Sequence, residues 1–452
     1  MGIQNRFRYV RFILASVVCF FGGNGMAQNI AQLPTSAPAQ VTPATPKEKP
    51  EKGFLARSIK FSGSLRARWE ATQGSDFSAT TADSYLLTRA RLGIAFQPIP
   101  WVRVFGEAQD AHALFYGVKP TGAVQNPIDF RQGYVQFGGI ESKDSMFKAG
   151  RQELTLGSAR MVDSGDWGNV TKTFEIVRGT IATHGVKADL IAGSVVLVDP
   201  NRMDRHKPGE HLYVSYLTFN SLLPNTSIEP YFMAKTQLNV KGKDGFLGNA
   251  DTLASGVRVI GLLPGRVDYS IEAIHEGGGY ADDTIGAWGD VTMAGWTISK
   301  QGWKPRLSAD YSYAAGDSGR KDGSRGSFDS FYGTNPFFSL TQVFGWRNLK
   351  DLRAGTDFTP TKKLKFAIDY RNFWLATLDD GLYNGSNVRI VKNNKATSAH
   401  VGEGIDAQCL FAVTSTTTLG VGMGSLIPGA YLEQSHKTTG FAYPYLRLSR
   451  RF

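Results

Sequence analysis

The chain has 452 residues, a net charge of +11, 51 glycines and 12% aromatic residues. This composition suits many strands joined by tight turns better than it suits helices. Lysine and arginine are spread along the chain rather than gathered in runs, which argues against nucleic-acid binding. After the first 27 residues, no segment approaches the roughly 18 uninterrupted apolar residues of a transmembrane helix, so a helical membrane protein is excluded.

Residues 1–27 have the parts of a secretory signal peptide. Three arginines within the first eleven residues precede an apolar stretch from Phe12 to Phe21, and the small residue Ala27 marks a cleavage point. We therefore expect an exported protein whose mature chain begins at about residue 28. That chain contains a single cysteine, Cys409, and cannot form an internal disulfide.

Residues 28–53 differ in composition from the rest of the mature chain. They are rich in Pro, Ala, Thr and Gln and have too few apolar side chains to form a core. We predict a disordered periplasmic tail here. From residue 54 to the end no further linker occurs, so residues 54–452 are expected to form one domain.

Alternation of apolar and polar residues begins at residue 58. Phe61 and Leu65 would point to one side of a strand, whereas Lys60, Arg66 and Arg68 would point to the other. Segments with strand character recur down to the last residue. About 18 of them can be counted, with 16 as the alternative count, and either number is usual for a bacterial outer-membrane barrel.

The connections between these segments alternate in length. Short links such as residues 97–100 and 264–265 alternate with long ones such as residues 156–172, 316–350 and 376–399. Outer-membrane barrels join their strands by short periplasmic turns and longer external loops. We therefore predict an all-β fold, a transmembrane antiparallel β-barrel of about 18 strands in the bacterial outer membrane, with both termini in the periplasm.

The end of the chain supports this prediction. Residues 441–452 have strand character and finish on Phe452. This resembles the aromatic C-terminal signal of barrels that are inserted by the outer-membrane assembly machinery. The assembly machinery and the lipid bilayer are accordingly expected partners.

Many cations lie on the side of the strands opposite the apolar residues. Placing them in the lumen avoids roughly 2–4 kcal/mol for each charge at mid-membrane on the lipid side. The set comprises Arg66, Arg68, Arg89, Arg91, Arg103, Arg178, Arg258, Arg306, Arg353, Arg371, Arg447, Lys60, Lys148, Lys187 and Lys365. Acidic residues on the same side are nearly as numerous, namely Glu70, Glu107, Asp189, Asp268, Glu272, Asp310, Asp357, Asp369 and Asp406. Each arginine can therefore pair with a wall carboxylate or face a solute.

One group of arginines is expected to cluster. Arg66 and Arg68 lie on the first strand, Arg89 and Arg91 on the second, and Arg447 on the last strand, which closes the barrel against the first. Guanidinium groups stay charged and bind carboxylates or phosphates through two hydrogen bonds. We predict a basic lumenal patch here that favours a polyanion over a neutral sugar.

Signals of catalysis or metal binding are weak. No G-x-S-x-G, P-loop or H-E-x-x-H sequence occurs. His211 and Ser215 share a strand face, which would suit a barrel-embedded hydrolase but suits two polar lumenal residues better. Asp163, Asp166 and Asn169 could hold calcium, although an ordinary polar extracellular loop suits them better. No cofactor or metal is predicted.

Several motifs, taken in order, resemble those of the alginate-export family of outer-membrane barrels. They are Gly150-Arg151-Gln152-Glu153-Leu154, then Arg160 and Asp166-Trp167, Phe174-Glu175-x-Val177-Arg178, Phe328-Asp329-Ser330-Phe331-Tyr332, Asn348-Leu349-x-Asp351-Leu352 and Asp380-Gly381-Leu382-Tyr383. Glu175 stands where Asp is expected, and Ser158 stands where an acidic residue would fit the family pattern. The resemblance extends over residues 61–452.

The resemblance implies an 18-stranded barrel with an arginine-rich lumen that passes an acidic polysaccharide, and it adds Arg151 to the candidate residues. The candidate solute-binding residues are Arg66, Arg68, Arg89, Arg91, Arg103, Arg151, Arg178, Arg371 and Arg447. The implied partners are an anionic polysaccharide or smaller anionic solute and, for an exporter, periplasmic export components. Two other functions stay open, a barrel-embedded enzyme and a structural or adhesive barrel plugged by its long loops, and ion conductance would separate both from an open channel.

Overall fold

The structure is a computed structural model that describes residues 58–78, 80–140, 145–317, 319, 322–333, 338–392 and 395–452. The predicted signal peptide and periplasmic tail lie outside the described residues. Eighteen long strands in the described part of the chain form one antiparallel barrel. They are β1 (Ile59–Gln73), β2 (Ala82–Ile99), β3 (Val102–Leu114), β4 (Asn126–Gly138), β5 (Met146–Gln152), β6 (Phe174–Thr183), β7 (Val186–Leu197), β8 (Glu210–Leu223), β9 (Thr226–Lys241), β10 (Leu247–Leu263), β11 (Val267–Tyr280), β12 (Asp283–Thr297), β13 (Arg306–Ala314), β14 (Leu349–Thr361), β15 (Leu364–Leu375), β16 (His400–Ala412), β17 (Thr417–Pro428) and β18 (Phe441–Arg451).

Each long strand pairs with the next, and β18 pairs with β1 over Ser64 opposite Arg451 to Gln73 opposite Ala442, which closes the barrel. The predicted fold class and strand number are therefore confirmed. Shorter elements lie in the loops: Arg205–His206 beside β7, Ser324–Arg325 beside β12, a separate pair of Leu382–Tyr383 with Arg389–Val391, and helix α1 (Ala430–Gln434). Within the described residues, no helix is long and apolar enough to span a membrane.

The two faces of the barrel wall carry opposite chemistry. On β1, Phe61 is 71% and Leu65 52% exposed on the outer face, whereas Arg66 and Arg68 are buried inside. The alternation predicted for this strand is therefore confirmed. Because lipid is the solvent of the outer face, exposed apolar side chains there are favourable, and the closed sheet leaves no strand edge to satisfy in the hydrocarbon.

The two ends of the barrel differ in their connections. Short turns follow the even-numbered strands, for example residues 184–185 after β6 and residues 224–225 after β8. Long loops come after odd-numbered strands, as predicted, and five of them are L3 (residues 153–173), L4 (198–209), L7 (315–348), L8 (376–399) and L9 (429–440). The loops after β9 and β11 are exceptions of five and two residues. That the loop end faces outward stays a prediction.

Four of the long loops fold back into the barrel. Large apolar side chains of L3, L7, L8 and L9 pack in one core with inward-facing residues of the strands. The loop members include Leu154, Met161, Val162, Phe328, Phe331, Tyr332, Phe338, Phe344, Trp346, Leu382, Val391, Tyr431 and Leu432. The described residues of L7 and L8 thus fold into the barrel, because burying this much apolar surface favours an internal plug, and that these loops belong to the extracellular end stays a prediction.

The motifs that carry the family resemblance anchor this plug. Asp329 of L7 forms an ion pair with Lys235 on β9, and its backbone N–H donates to Glu276 on β11 at 2.9 Å. The hydroxyl of Tyr332 donates to Glu210 on β8 at 2.7 Å. Since three strands on one side of the barrel, β8, β9 and β11, each supply a partner, L7 is fixed at a defined height inside the barrel.

Candidate functional site: an occupied arginine cluster and a cationic mouth

The predicted arginine cluster forms. β1 and β2 pair Arg66 directly with Arg89, and β1 and β18 pair Arg68 with Arg447. Arg66, Arg68 and Arg89 are only 6%, 2% and 6% exposed. Several guanidinium groups therefore lie at one height on three adjacent strands, but they are covered rather than open.

Loop L3 covers the cluster with its own oxygen atoms. Arg66 donates to the carbonyl oxygens of Asp166 at 2.5 Å and Gly168 at 2.6 Å, and Arg89 binds the Asp166 carboxylate at 2.6 Å. Arg68 donates to the carbonyl oxygen of Trp167. Backbone carbonyls and a carboxylate together thus take the place that an anionic solute would occupy.

The side chain of Trp167 completes this contact. Its ring lies 4.5 Å from the guanidinium carbon of Arg68 and 5.6 Å from that of Arg447, both within the range of cation–π attraction. Tyr445 meets the same ring edge-on at 5.0 Å. The Asp166-Trp167 pair is therefore the point at which L3 is attached to the closing strands of the barrel.

The electrostatic environment of Asp166 agrees with this attachment. Burial raises the pKa of its carboxyl group, but the positive charges of Arg89, Arg91 and Arg66 outweigh that effect and leave the pKa below its ordinary value. Asp166 is therefore ionised at neutral pH. In this structure the cluster is not open to a solute, and the role of Arg66, Arg68, Arg89, Arg91 and Arg447 in solute binding stays a prediction.

Other residues of L3 attach the loop through hydrogen bonds. Asn169 donates through its side-chain amide to the carbonyl oxygens of Thr88, His112 and Val124 at 2.8–3.2 Å. Asp163 accepts a hydrogen bond from Thr155 at 2.7 Å. No group of metal ligands converges anywhere among the described residues. The expectation of an ordinary extracellular loop at 163–169 is corrected, because these residues tie L3 to the inner wall.

Most arginines on the wall opposite L3 pair with carboxylates. Measured between nitrogen and oxygen, Arg258 lies 2.9 Å from Glu229, Arg306 2.6 Å from Asp268, Arg353 2.6 Å from Asp369, and Arg371 2.5 Å from Asp351. These ladders satisfy the wall charges among themselves. Arg371, a candidate solute-binding residue, is buried within such a ladder and also lies 3.7 Å from Asp406.

Arg151 lies on the outer face of the barrel, which corrects its assignment to the lumen. Its partner Glu175, at 2.6 Å, stands between Phe174 and Ile176, which both point inward. Arg151 also donates to the carbonyl oxygens of Phe130 and Asp204, each at 2.8 Å. Because β5 pairs with β4 only from Gly133 onward, this guanidinium group caps the unpaired end of β4 and holds L4 beside it.

His211 and Ser215 are also on the outer face. On β8 the buried, inward-facing residues are Leu212, Val214 and Tyr216, which belong to the plug core. The prediction of two polar lumenal residues is therefore wrong for this pair. A hydrolase built on them would not face the lumen.

Six of the nine odd-numbered strands carry a cation near their start, at the short-turn end of the lumen. We call this end the mouth and the six cations the ring. Each member lies within three residues of the start of an odd-numbered strand. The members are Lys60, Arg103, Lys148, Lys187, Arg306 and Lys365. Lys187 pairs with Asp189 at 2.9 Å and Arg306 pairs with Asp268. The other four make no ion pair with any residue that the structure describes, so the mouth has a positive field.

Sequence reasoning placed all six cations in the lumen but did not recognise them as a ring. The missing signal was positional: Lys60 stands at the start of the first predicted strand, and the other five each stand a few positions after the link that leads into an odd-numbered strand. Arg103 was a candidate solute-binding residue, and Arg178, another candidate, lies beside the ring on β6 and pairs with Asp189 at 2.9 Å. The structure thus separates the candidate set into a covered cluster, wall ladders and an open mouth.

A closed 18-stranded barrel with an apolar outer face and a charged interior defines an outer-membrane channel of Gram-negative type. The chain belongs to the alginate export family, whose family model matches residues 57–442. Its place in the bacterial outer membrane follows, and the family and fold are those of transport channels rather than of enzymes. No curated protein matches the chain.

Solved structures with the same fold are outer-membrane barrels of other bacteria. OpdK of Pseudomonas aeruginosa with vanillate has a TM-score of 0.62 at 11% identity, with 88% of this chain and 100% of that chain covered. OccK11 (OpdR) of the same organism has a TM-score of 0.58 at 10% identity, covering 89% and 98%. OccAB2 of Acinetobacter baumannii also reaches 0.58, at 8% identity, covering 89% and 99%. At these identities the likeness concerns the fold alone.

Proposed function

We propose that this outer-membrane channel passes an anionic solute, an acidic polysaccharide or oligosaccharide, and that the solute is recognised first at the mouth. The observation that carries the proposal is the cationic ring, in which Lys60, Arg103, Lys148 and Lys365 have no carboxylate partner in the described chain. A narrow opening lined by one sign of charge concentrates counter-ions and speeds their entry. The family, described as alginate export, agrees with an acidic polymer.

The covered cluster gives the proposal a second step. Binding of a polymer at this height requires L3 to leave Arg66, Arg68 and Arg89, since its carbonyl oxygens and carboxylate cover them. The released guanidinium groups would then offer carboxylate-binding positions in place of the L3 carbonyls. For an exporter, periplasmic components would deliver the polymer to the mouth, which lies at the end of the barrel where β1 begins and β18 ends.

Reversal potentials in planar bilayers under a salt gradient test the proposal. The wild-type channel should prefer anions, and Arg103→Gln with Lys148→Gln should shift the reversal potential toward cations, most strongly at low salt because screening is then weakest. Lys119→Gln, which removes an exposed charge in the loop between β3 and β4, is the matched control and should have no effect. A wild-type channel without anion preference would contradict the proposal.

The plug favours a second candidate function, a structural or adhesive barrel that does not conduct. Its apolar core is continuous across four loops and the inner wall. The two functions predict different results for a protein in which L3 is detached. A channel should then conduct more strongly, whereas a barrel that is permanently sealed by L7, L8 and L9 should stay closed.

A further inference from the structure

Four strands at the mouth place a row of cations directly below a row of aromatic rings. Pairing aligns Arg103 on β3 with Gln136 on β4, Gln136 with Lys148 on β5, and Lys148 with Arg178 on β6. Two residues further from the mouth, Phe105 pairs with Tyr134. Because the shift of two residues keeps side chains on the same face, both rows point into the lumen.

A glycine lies beside the aromatic row on the next strand. The rings of Phe105 and Tyr134 lie 5.2 Å apart, tilted by 36°. The residue opposite Tyr134 on β5 is Gly150, which has a φ of +125° and would place a Cβ atom 2.3 Å from the carbonyl oxygen of Gly133. Only glycine fits there, so β5 presents no side chain directly opposite Tyr134.

The cations beside these rings are available. The ammonium nitrogen of Lys148 lies 3.7 Å from the centre of the Tyr134 ring and forms no ion pair within the described ranges. The Nε of Arg103 is buried and has no hydrogen-bond partner in the described part of the chain. Its one hydrogen bond there is from Nη2 to Gln97 at 3.3 Å. Arg178, by contrast, is already neutralised by Asp189.

We propose that Arg103, Lys148, Phe105 and Tyr134 form a subsite for a carboxylate carried on a saturated ring, that is, for one uronate unit of an acidic saccharide. The carboxylate would bind Arg103 and draw the Lys148 ammonium group away from the Tyr134 ring, and the C–H face of the sugar ring would then pack on the aromatic rings. This inference rests on the proposed function and deepens it. Charge alone would accept any anion, whereas the aromatic rings add a preference for cyclic acids over acyclic ones.

Calorimetric titration of the detergent-purified protein tests the subsite, because binding is then measured whether or not the plug opens. The two probes are trigalacturonate and the peptide tri-aspartate, which carries the same net charge of about −3 at neutral pH from its three side chains. Wild-type protein should bind trigalacturonate more tightly. Phe105→Leu with Tyr134→Leu should weaken that binding about five- to tenfold, as expected for lost ring packing, and leave tri-aspartate binding unchanged.

Lys148→Gln should weaken both probes to a similar extent, since it removes charge but no ring. Phe137→Leu, on the outer face of β4 beside Trp101, controls for loss of an aromatic residue from the same strands. If the double variant fails to fold, as judged by heat-modifiable gel mobility, Phe105→Leu alone is measured. The subsite would be overturned if wild-type protein bound both probes with equal affinity, or if the leucine variant lost affinity for both probes equally. Neither result would contradict the anion selectivity of the channel. Absence of anion preference in the reversal potential would instead refute the proposed function.

Discussion

The arginine cluster on β1 and β2 and the cationic mouth differ in what surrounds their charges. Both arise from the same pattern of cations opposite apolar residues. In the cluster, Arg66, Arg68 and Arg89 donate to carbonyl oxygens and a carboxylate of L3. At the mouth, Lys148 rests on a tyrosine ring and Lys60 is exposed. The comparison teaches that a lumenal charge is available to a solute only where the chain itself does not satisfy it.

Detaching L3 should uncover the arginine cluster, so that its charges become as available as those of the mouth. We expect this change to have the largest effect on conductance and anion preference. Asp166→Ala with Trp167→Ala eliminates the carboxylate at Arg89 and the ring between Arg68 and Arg447. Single-channel conductance should rise several-fold, because L3 leaves the lumen, and anion preference should increase with it. The matched control is Asp244→Ala with Phe246→Ala, an acidic and an aromatic residue in an exposed loop. Unchanged conductance would support the sealed structural barrel.

Charge removal should distinguish the two regions in the intact protein. Arg103→Gln with Lys148→Gln should reduce anion preference clearly, whereas Arg68→Gln with Arg89→Gln should change it less, since those groups are occupied. When Asp166→Ala and Trp167→Ala are also present, so that L3 is detached, the Arg68 and Arg89 substitutions should reduce anion preference as much as the Arg103 and Lys148 substitutions do. Reversal potentials at low salt measure both. Equal effects in the intact protein would mean that L3 does not shield the cluster.

Acidification should release L3 and tighten L4. The pKa of Asp166 is lowered, so its contact stabilises L3 above about pH 4, the ordinary range of a free Asp, and is lost as pH falls through the lowered value. Burial, aided by the charge of Asp129, raises the pKa of Asp204 in L4 to about 6. Because the pKa of Asp204 is raised rather than lowered, the pH dependence of L4 is the reverse of that of L3. The L4 contacts are favoured below the ordinary pKa of Asp and weaken as pH rises through about 6.

Hydrogen exchange as a function of pH would report on both loops. Protection of residues 198–209 should fall as pH rises from about 4 to about 6, the interval between the ordinary and the raised pKa of Asp204, whereas protection of L3 should fall only under strongly acidic conditions. Asp204→Asn, which cannot ionise, should remove the change in L4 and leave L3 unaffected. If L4 still responded in that variant, another group would be responsible.

The smallest effect is expected for Arg151, because it belongs to neither basic region. Arg151→Gln removes the cap on the carbonyl oxygen of Phe130 and the contact with L4, at a cost of roughly 1–2 kcal/mol of stability. The reversal potential should not change, since the side chain lies outside the lumen. Thermal unfolding in detergent and the reversal potential are measured together. A shift in ion selectivity without loss of stability would mean that the Arg151 side chain faces the lumen.

The sequence by itself determined the barrel and the height of its charges. A period of two sends alternate residues to opposite faces, so the number of strands, the closure of β18 on β1 and the juxtaposition of Arg66 with Arg89 all follow from local pattern and connection length. The motifs of L7 and L8 were visible as well. Their apolar residues also indicate that these loops are not solvent-exposed, although connection length alone predicted external loops.

Only the tertiary structure decided which charges are free and which face is inside at each height. Where the plug fills the lumen, the interior is apolar, so Leu212 and Val214 point inward and His211 outward, the reverse of the rule that holds on β1. Arg151 is three residues from the inward-facing Lys148 and therefore lies on the outer face, and its partners arise there because β5 leaves the end of β4 unpaired. L3 reaches Arg66 across about a hundred residues of chain. Contacts of that separation depend on the closed barrel bringing distant segments together, which no local pattern encodes.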